Sequence, residues 1–291
     1  MATKLNLASG HVSCPSNAYT AIQPAAGENW AVLSLLGGYQ AGNLWYVRQG
    51  ASRISLGSNV FAAPGLYVNS GTYLEFYVPA GNAATYAQYQ AQKLSSAFSV
   101  VSTVYSLGAG TTQGMMPGAG NVQKVGLIVG DVGGVYTALT DGAHPVEESS
   151  YIATSATALA ARRTLWLSTT AYLRLRNAGA GTEIVLVSAI QAASTLFDVR
   201  SAVASVAAGG TTAFTPSAGE AWIVTAVMAD AGGAGSAWYV TEGTNPVKLM
   251  AGGTYSNPFA GGKAAITSGQ YLSYSNTDGS IHYAAVSAVN I

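Results

Sequence analysis

Apolar and polar positions alternate with a period of two through much of the chain, the spacing that sends successive side chains to opposite faces of a sheet. Across residues 73–78, Leu74, Phe76 and Val78 point one way and Tyr73, Glu75 and Tyr77 the other. Farther along, Leu173 and Leu175 alternate with Tyr172, Arg174 and Arg176. The charged residues there mark an outer face, so the sheet is wet on one side, as antiparallel sheets often are. Other β-rich runs are residues 30–36, 44–47, 125–129, 184–190, 222–227 and 271–274. Between runs lie GYQAGN, VGDVGG and DAGGAGS, where a positive φ is cheap only for Gly or Asn; these read as hairpin turns or loops. The best helical candidate is ATALAARRT, residues 156–164. It is short and its counterparts elsewhere in the chain are not helical, so it reads as loop or strand with no more than one helical turn.

The pattern recurs three times. PxAG appears as Pro24 to Gly27, Pro117 to Gly120 and Pro216 to Gly219, and an apolar residue (Leu5, Phe98, Phe197) stands 19 positions before each proline. A second anchor reads SGTYL, TTAYL and SGQYL, at residues 70–74, 169–173 and 268–272. The closing segment aligns residues 86–94 with 283–291, and Val187, Ser188, Ala189 with Val286, Ser287, Ala288. Three ordered anchors at similar spacing define three units, residues 1–97, 98–196 and 197–291. The first and third share more: GENW answers GEAW, and Trp45, Tyr46, Val47 answer Trp238, Tyr239, Val240. The second unit has Gln123 for Trp30, and Thr137 and Ala138 for the Trp/Tyr pair. About seven short strands in each unit of roughly 95 residues predict an all-β chain of three tandem antiparallel β-sandwich, jelly-roll-like domains.

Composition narrows the functional classes. Hydrophobic residues make up 49% of the 291 and charged residues only 8%, which excludes a disordered chain. Twelve basic residues balance twelve acidic ones, so no overall field draws nucleic acid or anionic lipid. By unit, the first has four basic and two acidic residues, the second five and five, the third three and five. The resulting net charges of +2, 0 and −2 suit head-to-tail contact between subunits. A neutral surface rich in Ser, Thr, Asn, Gly and Tyr suits packing against other protein. Cys14 is the single cysteine, so no intramolecular disulfide forms. The opening segment lacks a long apolar run and no stretch is long and apolar enough for a membrane helix, which predicts synthesis in a cytoplasm without membrane insertion.

Candidate chemistry is sparse. His11, His144 and His282 fall in three different units, with no metal-ligand spacing, and each reads as a surface or core histidine. Glu147 and Glu148 are adjacent, would face opposite sides of a strand, and read as part of a solvated loop. The Gly-rich stretches lack a phosphate-loop ending, and no serine sits in a nucleophile elbow. No catalytic residue, cofactor or metal ligand is expected. The aromatic pairs are the one feature that could mark a ligand face, because flat rings stack on sugars. Trp30, Trp45, Trp222 and Trp238 sit inside apolar runs and read as core, which leaves Tyr39, Tyr46, Tyr77, Tyr239 and Tyr255 as the candidate exposed contact surface.

An opening strand ending in PxAGExW, a Gly-rich hairpin, [ST]xxYL and a closing VSAV or VSAI together resemble the small β-sandwich domains of tailed-bacteriophage virion proteins. The resemblance spans all three units in outline and is strongest in the third. It implies a virion structural protein, not an enzyme, made in the host cytoplasm and recruited without cofactor. The implied roles are a head decoration (cement) protein, or alternatively a collar or tail appendage, fibre or spike, binding a host-surface carbohydrate or receptor. Implied partners are the major capsid protein or tail and collar proteins, in a homo-oligomer or lattice, with no nucleic acid.

Overall fold

The computed structural model describes residues 6–38, 40–58, 65–131, 134–148, 164–230, 235–251 and 264–291. All regular structure among them is β, and the helical candidate at 156–164 lies almost wholly outside the described residues. The first unit has eight strands: β1 (Leu7–Cys14), β2 (Ala18–Ile22), β3 (Asn29–Gly37), β4 (Leu44–Gln49), β5 (Ser52–Gly57), β6 (Tyr67–Asn69), β7 (Thr72–Val78) and β8 (Thr85–Lys93). They form two four-stranded antiparallel sheets, ordered β1-β8-β3-β6 and β2-β7-β4-β5. Consecutive strands alternate between sheets except for the β4–β5 hairpin, and the last lies beside the first, which is the winding of a jelly roll.

The second unit repeats this order. Its strands are β9 (Ser99–Val100), β10 (Thr103–Leu107), β11 (Thr112–Met115), β12 (Asn121–Gly130), β13 (Val135–Thr140), β14 (Pro145–Glu148), β15 (Leu165–Leu167), β16 (Tyr172–Asn177) and β17 (Glu183–Ala193). The third has β18 (Asp198–Val199), β19 (Ala202–Val206), β20 (Thr211–Phe214), β21 (Ala221–Ala229), β22 (Ala237–Glu242), β23 (Asn245–Ala251), β24 (Ala264–Thr267), β25 (Gln270–Ser275) and β26 (His282–Asn290). The corresponding sheets are β10-β17-β12-β15 with β11-β16-β13-β14, and β19-β26-β21-β24 with β20-β25-β22-β23. Short β9 and β18 pair with the closing strands and bring the count to eight or nine per unit, not seven. Glu147 lies on β14 and not in a solvated loop, because the hairpin β13–β14 aligns it opposite Ala138.

The sequence anchors each have a local cause. PxAG is a turn between sheets: the amides of Glu28, Asn121 and Glu220 donate to the carbonyls of Ala25, Gly118 and Ser217, and Gly27, Gly120 and Gly219 all have positive φ. A positive φ at the third turn position requires glycine, which fixes the G of the motif. Three residues after the glycine, Trp30 and Trp222 are buried, and their indole Nε1 groups donate to Glu28 and Glu220 at 3.0 Å, which accounts for the E of GExW. Trp45 packs on Phe76 and Trp238 on Tyr274 in the first and third cores. Leu175 stands in place of those ring partners in the second unit, opposite Thr137. Each unit also carries a β-bulge at the same place in the strand beside its closing strand, on β3 between Val32 and Ser34, on β12 between Val125 and Leu127, and on β21 between Val224 and Ala226.

The three cores are not separate. Val104, Leu127, Val129 and Leu186 belong to the second unit by sequence but are buried in the core of the first. Ala226, Met228 and Ala285 of the third are likewise buried in the core of the second. In each case the side of one sandwich between β5 and β6, or between β14 and β15, opens onto the outer sheet face of the next unit, so each unit completes the core of the one before it. Apolar burial of this kind stabilises by about 25 cal/mol per Å², which ties the units into one array.

Candidate functional site

Two surfaces carry the candidate contacts. The first is the outer face of β2-β7-β4-β5. Tyr77 pairs with Tyr19 across β2 and β7, and its ring stacks on Tyr19 at 4.4 Å between centroids. Tyr46 meets Tyr19 edge-on at 5.6 Å, and the Arg53 guanidinium lies over the Tyr19 ring at 4.1 Å. Beside them Glu75 is buried beneath Arg48, whose Nη1 donates at 2.8 Å, and Arg53. Tyr46 and Tyr77 were expected to be exposed; neighbouring rings hold both half-buried, and Tyr19 is the exposed member. Burial and the adjacent phenols push the Tyr46 hydroxyl above its ordinary pKa. Tyr239 lies on the matching face of the third unit and is also half-buried. Tyr39 and Tyr255 fall outside the described residues, so the fold brings Tyr46 and Tyr77 together and leaves Tyr239 in another unit.

The centre of this face differs in charge among the units. Where the first has Glu75 opposite Tyr46, the second has Arg174 opposite Ala138 and the third Ser273 opposite Tyr239. In the second unit Glu147 accepts from Arg176 Nε and Nη2 at 2.8 Å each and from Arg174 at 3.3 Å. The Arg176 hydrogen bond, ahead of the opposing burial, holds the Glu147 carboxyl below the usual range.

The second surface is the junction between units, and it is built twice from the same parts. At the first junction the buried Tyr67 amide on edge strand β6 donates to Ser188 Oγ at 2.7 Å. Ser102 Oγ donates to the Tyr67 carbonyl at 2.8 Å and accepts from the Ala189 amide at 3.1 Å. At the second, the Trp166 amide on β15 donates to Ser287 Oγ at 2.7 Å, Ser201 Oγ donates to the Trp166 carbonyl at 2.6 Å and accepts from the Ala288 amide at 3.3 Å. The sequence separations are identical at both, 121 residues for the amide bond and 35 for the carbonyl bond. An edge strand exposes unpaired amides and carbonyls. Here two serines of the following unit satisfy one of each, so the edge is closed without adding a strand. Gly65 and Gly126 let the backbones touch at the first junction: a Cβ on either would overlap the other's main chain. At the second, Tyr283 stacks on His144 at 4.8 Å, and the linker ring Phe197 packs on Trp166 at 4.9 Å and on Phe98 at 6.1 Å.

Titratable groups do meet at one place that sequence spacing did not reveal. The largely buried His282 has Nδ1 3.1 Å from Asp230 and Nε2 2.8 Å from Asp278. The histidine hydrogen bond holds Asp278 below its ordinary pKa. Among the described residues no group of three or more His, Cys, Asp or Glu has a metal-ligand arrangement. Cys14 is buried in the first core, and loss of solvation raises its thiol pKa. No described helix is long and apolar enough to cross a membrane.

No protein-family model matches the chain. No curated protein matches its sequence. Among solved structures, similar folds include a chain from an archaeal virus described by its triple jelly roll fold and turret assembly, at 9% identity and a TM-score of 0.27, covering 98% of this chain and 89% of that one. A chain from the atomic structure of Sulfolobus turreted icosahedral virus has 10% identity and a TM-score of 0.26, covering 98% and 90%. A conserved protein of unknown function from Pseudomonas aeruginosa PAO1 has 12% identity and a TM-score of 0.24, covering 67% and 83%. At these values the likeness does not reach function.

Proposed function

We propose that this chain is a non-enzymatic structural protein of a virion, a decoration or cement protein that coats a particle through many protein contacts. The observation that carries the reading is the doubled serine junction: the units are locked side by side by buried bonds and shared cores, the build of a rigid block and not of domains that open around a substrate. The neutral composition and the resemblance to tailed-bacteriophage sandwich domains support the same reading. Three rigidly spaced, similar outer faces turn weak single contacts on a repetitive lattice into tight attachment, because each later contact forms at high effective concentration. The test is to mix purified chain with undecorated capsids. Stoichiometric, saturable uptake is expected, and no uptake at micromolar chain counts against the role.

One observation favours a second reading, a tail or collar appendage that binds host-surface carbohydrate. Tyr19, Tyr46 and Tyr77 with Arg53 make an aromatic and cationic platform on the first unit. Sugars stack on such rings. Saturable glycan binding lost in Tyr19→Ala would support it, and a blank glycan array would remove it.

A further inference from the structure

Among the described residues, one side of the third unit and one face of the first take no part in the internal junctions. Ile54 of β5, Val146 of β14 and Val247 of β23 occupy one position, each paired with the middle of the preceding strand. The first two are 1% and 0% exposed because the next unit covers them, whereas Val247 is 64% exposed. Next to it, Ala265 on edge strand β24 stands opposite Ile223 as Tyr67 stands opposite Ala31 and Trp166 opposite Lys124. That register turns the amide and carbonyl of exposed Ala265 outward, the two groups that serines claim at both internal junctions.

On the first unit, no described residue of another unit covers the outer β1-β8-β3-β6 face. Ser9 stands opposite Gln90 there, in the places of Ser102 with Ser188 and Ser201 with Ser287, and both are exposed. Tyr86, the counterpart of Ile184 and Tyr283 that pack against the preceding cores, is 68% exposed, and Leu33 on the bulge is 43% exposed.

We infer that the open side of the third unit docks on this face of the first unit in a second copy of the chain, so that copies join head to tail through the contact already made twice within each. Continuity with the internal junctions supplies the geometry: Ser9 and the Gln90 amide offer a hydroxyl and both a donor and an acceptor to the Ala265 main chain, and Tyr86 and Leu33 cover Val247. Charge supplies direction, because the first unit carries a surplus of basic residues and the third a surplus of acidic ones. The contact is wetter than the internal ones. His11, Gln88 and Ser34 stand where the second unit has Val104, Leu186 and Leu127, so less apolar surface is buried and association is reversible. A head-to-tail contact is heterologous, and it produces rings or filaments instead of closed two-fold dimers.

Sedimentation velocity of the full chain over a concentration series tests this, with Val247→Arg and Tyr86→Glu as variants. Both positions are exposed, so both variants fold. The wild-type chain grows in size with concentration and shrinks again with added salt. Each variant alone stays monomeric, and their equimolar mixture forms a dimer and goes no further, since one blocked head and one blocked tail leave one good junction. A wild-type chain monomeric at every concentration, growth that survives either variant, or a mixture that stays monomeric would each overturn the inference. It rests on the structural role proposed above only in treating the chain as a building block. A chain that coats capsids while remaining monomeric sinks the head-to-tail contact alone, and one that polymerises without capsid uptake sinks the decoration role alone.

Discussion

Ser188→Ala separates the serine junction from ordinary surface polarity. In the folded protein Ser188 Oγ accepts from the buried Tyr67 amide at 2.7 Å and lies 3.1 Å from Ser102 Oγ. Truncation leaves the Tyr67 amide buried without an acceptor, which costs about 1–3 kcal/mol. The Ser102 hydroxyl keeps its bond to the Tyr67 carbonyl, so the loss falls chiefly on one donor. Native-state hydrogen exchange reads this at single amides. A cost of that size corresponds to roughly 5- to 150-fold faster exchange at Tyr67, while the Trp166 amide, held by Ser287, keeps its protection. Ser287→Ala does the reverse. Ser9→Ala, at the repeat position of Ser102 but exposed, changes the stability by no more than about 0.5 kcal/mol. Equal small effects from Ser188→Ala and Ser9→Ala would refute the reasoning, as would accelerated exchange at both edge amides from one substitution.

Other substitutions probe the same construction. Leu186→Ala, made in the second unit, costs about 2–5 kcal/mol in urea unfolding and exposes Trp45 to a fluorescence quencher, because Leu186 fills the first core. Asn276→Ala costs about 2–4 kcal/mol, since its buried side-chain amide serves the carbonyls of Val206, Ala207 and Ser280, as Asn177 serves Leu107, Gly108 and Gly181; an unchanged urea midpoint would contradict this. The carboxyls of Glu147 and Asp278 have folded pKa values below their unfolded ones, so their contribution is full above about pH 4.5 and is lost as pH falls through the folded values. Arg176→Gln therefore moves the acid-unfolding midpoint to higher pH, and circular dichroism along an acid titration shows it.

The repeat and the β class were legible because their signals are local. A turn that needs positive φ writes a glycine at one place in PxAG, and period-two alternation writes the faces of β7 and β16, where Leu74, Phe76, Leu173 and Leu175 are buried as expected. The junction was legible only in hindsight. VSA recurs at Val187 to Ala189 and Val286 to Ala288, while the first unit has Tyr89, Gln90 and Ala91 at that place. The middle serine bonds a strand more than a hundred residues away, and nothing in the pattern distinguishes such a serine from the many on wet faces. The same distance hid the His282 cluster: Asp278 lies four residues before it, but Asp230 comes from another loop. The tyrosines show the limit of alternation, which assigns Tyr46 and Tyr77 to the outer face but not the ring stacking that half-buries them there.

Differential scanning calorimetry of the whole chain tests the shared-core architecture most directly. Because each unit finishes the core of the one before it, a single cooperative transition is expected, with a calorimetric to van't Hoff enthalpy ratio of about one. A ratio of about three, with transitions that resolve into separate units and are left unmoved by Leu186→Ala in the first, would contradict the account.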